Sequence, residues 1–302
     1  MNWDAIDRLL DGARTTDTTA LRAHRVHLLA AKRWRATGRA VSADLADAER
    51  AAAVRVLAAP ILLRRLSGIV SGPIVLIKGI EIATHYPDQA LRPFEDIDLF
   101  VPDAERSQRE VLAAGFESAE GNDGPVRYHH LTPVRWPDSP LAIEIHHSLP
   151  HPVWITPPAN ETLFAAAVPS TMGVDGISTL LPVHHTLLLA AHAWRHGPLS
   201  RLIDIIDVAA ASDGVPREEL DAVAQEWGMS RVWTTTVRAA DALLGEDLPQ
   251  TWPLRLWARH LASVRQRNAL ERLAADGVRH LMAPVTPSTF RAGLSVAARA
   301  IR

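Results

Sequence analysis

The sequence contains no cysteine, and this absence excludes several kinds of chemistry at once. Disulfide bonds, thiolate zinc sites and thiol nucleophiles are all ruled out. A chain without cysteine fits a reducing cytoplasm, which is where we expect the protein to work. Its net charge is only −2, so nothing in the composition marks a nucleic-acid coat or a basic membrane binder.

Long apolar runs are also missing. The longest candidate, 180–193, is interrupted by His184, His185 and His192, and no stretch reaches the length of a membrane span. The opening MNWDAIDRLL carries acids early and no long apolar segment, so we expect no signal peptide. The 302 residues are 47% hydrophobic, which is enough for one large domain or two smaller ones.

Apolar spacing divides the chain into three predicted segments. In residues 1–72, apolar positions recur every three or four residues, which predicts helices, and Ser42 is placed to cap the helix that follows it. Residues 73–158 mix short β-branched runs with helical ones, and residues 159–302 return to helix. The predicted fold class is therefore α+β, with a small mixed sheet between a helical N-terminal segment and a helical C-terminal domain.

The middle segment is expected to hold the functional core. Its strands are predicted at 74–77, 97–101, 126–136 and 141–147, and its helices at 80–86 and 104–114. After residue 158, helices are predicted at 161–168, 184–195, 199–211, 217–227, 231–244 and 254–275.

Two aspartates on the second predicted strand share one face. In Glu95-Asp96-Ile97-Asp98-Leu99, residues i and i+2 point the same way, so Asp96 and Asp98 project together while Ile97 and Leu99 face the core. Two like charges placed this close repel each other, and a divalent cation removes the conflict. The alternative is that one acid caps the preceding loop and the other is solvated, because short Asp-x-Asp patterns are common in loops.

A third acid lies on the last predicted strand of the core. Glu144 stands between Ile143 and Ile145, so it faces away from their side of the sheet. If this strand pairs beside the first acidic strand, Glu144 joins Asp96 and Asp98. Three carboxylates on one face can hold two metal ions for an in-line displacement at phosphate. The alternative is a surface-facing glutamate on an amphipathic strand.

Basic side chains flank the acids. By strand parity, His146 shares the face of Glu144, and its neighbour His147 points to the other face. Arg92 precedes the acidic strand, where it would steady a triphosphate or the loop. The alternative for Arg92 is a surface arginine paired with Glu95 or with an aspartate of the same loop.

Two histidines farther along the chain lie one helical turn apart. His192 and His196 share a helix face, a spacing that can bind zinc, but no third ligand is evident nearby. Contacts with a nucleotide or an acceptor are therefore the favoured interpretation. A structural role, with the histidines hydrogen-bonded to Asp204 or Asp207, is the alternative. Arg201 is placed to form an ion pair with Asp204.

An ordered set of short motifs connects these residues. It consists of Lys78-Gly79, Tyr86-Pro87, Leu91-Arg92-Pro93, the strand from Asp96 to Val101, Glu144 two places before His146, and His192-x3-His196 followed by Arg201-Leu202 and Asp204. Together these motifs resemble the bacterial nucleotidyltransferase family of the polymerase-beta-like superfamily. The resemblance covers roughly residues 74–211.

The resemblance implies an enzyme. It would transfer a nucleoside monophosphate from a nucleoside triphosphate to an acceptor hydroxyl on a small molecule, peptide or protein. The three acids would be the catalytic and metal-binding residues, with Mg²⁺ as the expected ion and Mn²⁺ as the second choice. Lys78 and Gly79 stand where many members of the superfamily have Gly-Ser, so Lys78 would supply phosphate-binding charge and Gly79 a close backbone approach. The other predicted substrate-binding residues are Arg92, His146, His192, His196 and Arg201.

Two other functions stay open from the sequence. The changed Lys78-Gly79-Ile80 opening fits a nucleotide-binding module in which catalysis is lost or replaced. A toxin-like nucleotidyltransferase that modifies RNA is the third hypothesis. The nearly neutral charge argues against RNA, because RNA binding depends on neutralising phosphates. We expect no membrane partner.

Overall fold

The computed structural model describes residues 1–12, 18–119, 129–151, 155, 158–195, 199 and 201–244. The chain forms two compact units. The helical unit contains Met1–Arg39, His151–Thr156 and Thr186–Arg302, and the sheet unit contains Ala40–Pro150 and Pro157–His185. The segment boundaries expected from composition, after residues 72 and 158, stay a prediction.

Eleven α-helices occur within the described ranges. They are α1 (Trp3–Gly12), α2 (Thr18–Ala23), α3 (His27–Ala36), α4 (Ala43–Ser67), α5 (Ile80–Ala83), α6 (Ala104–Ala113), α7 (Asn160–Ala165), α8 (Pro182–Arg195), α9 (Leu202–Ala211), α10 (Arg217–Glu226) and α11 (Ser230–Leu244). Ser42 caps α4 as predicted, because its hydroxyl accepts a hydrogen bond from the Leu45 amide at 3.4 Å. None of these helices is both long enough and apolar enough to cross a membrane.

Seven strands form one mixed sheet in the sheet unit. They are β1 (Ile74–Leu76), β2 (Asp96–Phe100), β3 (Glu117–Ser118), β4 (Val134–Arg135), β5 (Ala142–His146), β6 (Val168–Pro169) and β7 (Ile177–Thr179). Their order across the sheet is β3-β4-β5-β2-β1-β7-β6. Strand β2 runs parallel to β5 and antiparallel to β1, and β1 runs parallel to β7. The predicted α+β class with a mixed sheet is confirmed.

One face of the central strands is buried against helix α4. Ile97 and Leu99 of β2 belong to the same buried cluster as Ile143 and Ile145 of β5, and Leu63 of α4 packs in it too. Burying one such side chain stabilises the fold by about 1.5–3 kcal/mol. A shift of one residue would turn all of them out, so their burial fixes which face of β2 and β5 is inside. The remaining strand positions therefore point to the opposite face.

The third predicted strand is shorter than expected. Within the described residues, the segment predicted at 126–136 forms a strand only at Val134–Arg135, and an isolated bridge joins His130 to His146. Pro133 lies between these two pairings. Since proline has no N–H to donate, it interrupts a continuous ladder at this point.

Strands β6 and β7 were not predicted, and the helix expected to reach Val168 ends at Ala165. Val168 instead pairs with Thr179, and Ile177 pairs with Ile74 of β1. Two strands of two and three residues carry almost no periodic signal. The pairing of β7 with β1, far earlier in the chain, and of β6 with β7 decides their conformation.

The helical unit packs α9 against α11. The Trp194 indole N–H donates to the Thr236 hydroxyl at 2.8 Å inside this unit. Helix α9 begins at Leu202, three residues later than expected, and Arg201 is its N-terminal flanking residue in an extended conformation. The helix predicted at 254–275 lies outside the described residues.

Candidate metal centre

The pairing of β2 with β5 brings two of the predicted acids together. The two strands are parallel and in register, with Asp98 opposite Glu144 and Asp96 opposite Ala142. Residues directly opposite each other on paired strands share a face. Asp98 and Glu144 therefore project from the side of the sheet that does not pack on α4.

His146 lies on the same face, as strand parity predicted. Its ring is fully buried, and its Nε2 is 3.0 Å from Asp98 Oδ1 and 3.6 Å from Glu144 Oε2. Among the described residues, the other ring nitrogen, Nδ1, has no hydrogen-bond partner. The polar interactions of this ring thus run through Nε2 towards the two acids. His147 is exposed.

Lys78 also reaches the acidic face. Its ammonium nitrogen lies 2.8 Å from Asp98 Oδ1, the same oxygen that His146 contacts. The Asp98 side chain is 1% exposed and that of Lys78 is 15% exposed. The chain has only one other lysine, Lys32, and uses arginine everywhere else for a permanent positive charge. The position beside Asp98 is crowded, and a compact ammonium occupies it where the chain otherwise uses the larger guanidinium.

Burial and charge act against each other at these groups. Burial alone would raise the pKa of Asp98, but the Lys78 ammonium and the hydrogen bond with His146 hold it well below its usual value of 3.8. Burial would likewise raise the pKa of Glu144, and the interaction with His146 lowers it instead.

The two basic groups respond in the opposite sense. Burial would lower the pKa of His146, but Asp98 and Glu144 raise it above 6.5. Burial would also lower the pKa of Lys78, and the charges of Asp98 and Asp96 raise it. Without a metal ion, the two acids are therefore offset by the Lys78 ammonium and by the His146 imidazole when it is protonated.

The turn that carries Lys78 depends on glycine. Gly79 has φ +61°, and a Cβ at this position would lie 2.8 Å from the carbonyl oxygen of Asp96. Any side chain would push the turn away from β2. Arg92 supports the same turn, because its Nη1 donates to the Gly79 carbonyl at 3.0 Å.

Arg92 itself is not the surface arginine of the alternative interpretation. Its side chain is buried, with 9% exposure, and its guanidinium donates to the backbone of the Lys78–Gly79 turn. A buried arginine that binds a carbonyl fixes a loop. This geometry fits the part of the prediction in which Arg92 steadies the loop.

Three side chains form a compact group of potential ligands. One ligand atom each from Asp98, Glu144 and His146 lies within 4.8 Å of the others. Asp96 is half-buried on the same strand and lies outside this group. Its role as a metal ligand stays a prediction.

Two histidines near the acids were missed by the sequence analysis. His130 is buried, and its Nε2 lies 3.6 Å from Glu144 Oε2. His185 Nε2 donates to the Ile77 carbonyl at 2.9 Å, next to Lys78. The sequence signal for His130 was its place just before β4. A strand that pairs antiparallel with β5 can bring the residue before it next to His146. No local pattern could have indicated His185.

The downstream predicted residues belong to the helical unit. Arg201 forms the expected ion pair with Asp204, with Nε–Oδ2 and Nη2–Oδ1 distances of 3.0 and 2.8 Å. His192 is half-buried on α8. His196 lies outside the described residues. The nucleotide or acceptor contacts expected of His192, His196 and Arg201 stay a prediction.

Comparison with known proteins identifies the family. No curated protein and no solved structure gives a significant match. A family model described as uncharacterised nucleotidyltransferase matches residues 15–245, which is more than half of the 302 residues and includes the whole acidic face. The chain therefore belongs to the uncharacterised nucleotidyltransferase family.

Proposed function

We propose that this protein is a metal-dependent enzyme that transfers a nucleoside monophosphate from a nucleoside triphosphate to an acceptor hydroxyl. The acceptor class is a small molecule, a peptide or a protein, and the fold is that of the polymerase-beta-like superfamily. The observation that carries the proposal is the in-register pair of Asp98 and Glu144, with His146 beside them, in a chain of the nucleotidyltransferase family.

The residues present fit a divalent ion. Ligand atoms at about 2.1 Å from one ion are separated by about 3.0–4.2 Å, and the ligand atoms of Asp98, Glu144 and His146 all lie within 4.8 Å of one another. When bound, a divalent ion neutralises phosphate charge and increases the acidity of an attached hydroxyl. The sequence favours Mg²⁺, with Mn²⁺ as the second choice.

The residues have distinct proposed roles. Asp98 and Glu144 hold the ion, Asp96 adds a ligand, and Glu144 accepts the proton of the acceptor hydroxyl. The acceptor oxygen then forms a bond to the α-phosphorus, and the bond from that phosphorus to the bridging oxygen of the β-phosphate breaks, so pyrophosphate leaves. Lys78, which holds Asp98 in the free protein, binds triphosphate oxygens. Arg92 keeps the Lys78–Gly79 turn in place.

The test is transfer of label from the α-phosphate. The full chain is incubated with each α-labelled nucleoside triphosphate and Mg²⁺ or Mn²⁺, and with metabolite, peptide, protein and RNA fractions as acceptors. We expect labelled product and pyrophosphate. Asp98→Asn and Glu144→Gln should each lower the transfer rate at least about 100-fold. Replacing a residue that only hydrogen-bonds to a metal ligand already lowers metal affinity or activity about 10–100-fold, and these two residues are proposed as the ligands themselves. Asp175→Asn, an exposed change in the same unit, should leave the rate unchanged.

Other results would contradict this proposal. Calorimetry that shows triphosphate binding, with no label transferred to any fraction, would favour a nucleotide-binding module. Label found only in RNA, together with growth arrest on expression that Asp98→Asn abolishes, would favour the toxin-like hypothesis.

A further inference from the structure

We propose that His146 binds the metal ion directly through Nε2, and that this nitrogen makes the centre bind a first-row transition-metal ion such as Mn²⁺ more tightly than Mg²⁺. The inference rests on the metal centre of the proposed function, and it does not depend on which acceptor is used. It adds the nitrogen of His146 as a direct ligand to the carboxylate ligands of the proposed function.

The distances around His146 are those between ligands of one ion. Two atoms that each lie about 2.1 Å from an ion are about 3.0 Å apart at a right angle and about 3.4 Å apart at the tetrahedral angle. His146 Nε2 is 3.0 Å from Asp98 Oδ1 and 3.6 Å from Glu144 Oε2. An ion between the three atoms therefore needs little movement of these three side chains, and it displaces the Lys78 ammonium, which lies 2.8 Å from Asp98 Oδ1 in the free protein.

The backbone keeps this nitrogen at the acids. His146 is the residue opposite Phe100 in the parallel β2–β5 pair, and on its other side it bridges to His130. Its ring is fully buried. The strand pairings fix the Cα of His146 on the acidic face, and burial restricts the ring, so Nε2 lies next to both carboxylates.

The donor set decides which ions are preferred. Mg²⁺ is a hard ion that takes oxygen ligands and keeps several waters. An imidazole nitrogen strengthens binding of the later first-row ions much more than that of Mg²⁺. A centre that includes His146 should therefore favour Mn²⁺, and Zn²⁺ more strongly still, whereas a centre of carboxylates alone would suit Mg²⁺.

His130 is the natural control for this inference. It is also a buried histidine, with Nε2 at 3.6 Å from Glu144 Oε2, whereas His146 forms one compact group of potential ligands with both Asp98 and Glu144. We place His130 beside Glu144 as a positioning residue. The two histidines can be separated by making the same substitution in each.

The decisive experiment is pulsed EPR of the full chain with one equivalent of Mn²⁺ and no nucleotide. We expect a ¹⁴N coupling from a directly bound imidazole, which changes to that of ¹⁵N in protein labelled with ¹⁵N-histidine. The coupling should be lost in His146→Gln, where an amide oxygen replaces the nitrogen at similar reach, and kept in His130→Gln. Calorimetry should show Mn²⁺ bound at least about tenfold more tightly than Mg²⁺ by the wild type, and a smaller ratio for His146→Gln.

The outcomes separate the two proposals. No nitrogen coupling in the labelled wild type, or a coupling that survives in His146→Gln, overturns this inference even if nucleotide transfer is observed. A coupling that is lost only in His146→Gln supports it even if no acceptor is found. If His146→Gln does not fold, an absent histidine coupling in the wild type still overturns the inference. A coupling kept in His130→Gln supports it, because His146 is the histidine that forms one group of potential ligands with both acids.

Discussion

Replacing Lys78 by methionine tests the charge balance of the acidic face. The substitution removes an ammonium that lies 2.8 Å from Asp98 Oδ1 and keeps most of the apolar side chain. It leaves a carboxylate that is 1% exposed with His146, and no longer Lys78, as its basic neighbour. We expect the metal-free variant to be clearly less stable than the wild type.

The expected loss can be worked out from the geometry. At 2.8 Å, the attraction is about 6 kcal/mol at an effective dielectric constant of about 20. Desolvation of both charges offsets much of this, and breaking a buried pair typically destabilises by about 3–5 kcal/mol. His146 remains 3.0 Å from Asp98, so we expect the lower end, about 3 kcal/mol. At about 2–4 °C per kcal/mol, Tm should fall by about 6–12 °C.

Thermal melting by circular dichroism, with and without metal, is the assay. The matched control is Lys32→Met, because Lys32 is exposed and is the only other lysine of the chain. At one fixed Mn²⁺ concentration, set at about 100 times the wild-type Kd, the ion adds about 2.7 kcal/mol of stability to the wild type. The gain should be larger in Lys78→Met than in the wild type, where the ion must displace the ammonium from Asp98.

Two results would refute this reasoning. If Lys78→Met melts within about 2 °C of Lys32→Met, which is under 1 kcal/mol on the same scale, the ion pair does not stabilise the free protein. If Mn²⁺ stabilises both variants and the wild type equally, the ammonium and the ion do not compete for Asp98.

The remaining predictions concern the turn and the pH dependence. Gly79→Ala should lower both Tm and metal affinity, because its Cβ would meet the Asp96 carbonyl oxygen at 2.8 Å. The control is Gly173→Ala, at a position with a similar positive φ and nothing within 4 Å of the added Cβ. It should lower Tm less in thermal melting and leave the metal affinity measured by calorimetry unchanged. The lowered pKa of Asp98 gives stability that is present above pH 3.8 and lost as the pH falls below it, and the raised pKa of His146 gives stability that is present below pH 6.5 and lost as the pH rises above it. The metal-free protein should therefore be most stable between these two pH values. Above pH 6.5 one titrating group changes the free energy of unfolding by at most about 1.4 kcal/mol per pH unit, and His146→Gln should reduce this decline. If the decline above pH 6.5 is the same in His146→Gln and the wild type, His146 is not the group that causes it.

Local sequence was sufficient for the elements with a strong period. The alternation of Asp96 to Leu99 identified β2 and the side on which its acids lie, and the pattern around Glu144 did the same for β5. Ser42 identified the start of α4, because the hydrogen bond of an N-terminal cap joins residues within one helical turn. Each of these predictions needs only residues a few places apart in the chain.

The short strands β6 and β7 could not be found in this way. Val168 of β6 pairs with Thr179 of β7, and Ile177 of β7 pairs with Ile74 of β1, which lies more than a hundred residues earlier in the chain. Nothing within two or three residues distinguishes such a segment from a loop, since its hydrogen bonds lie elsewhere in the sequence.

The sequence by itself determined the acids of this protein and the strand faces that carry them, because side chains alternate along any strand. Only the tertiary structure decided that β5 pairs with β2 in the register that places Glu144 opposite Asp98. It also decided that Lys78 and His146 meet on one oxygen of Asp98, and that Arg92 turns inward to the Gly79 carbonyl. The physical reason is that burial of one apolar sheet face selects the register among distant segments, and the polar contacts on the other face follow from that choice.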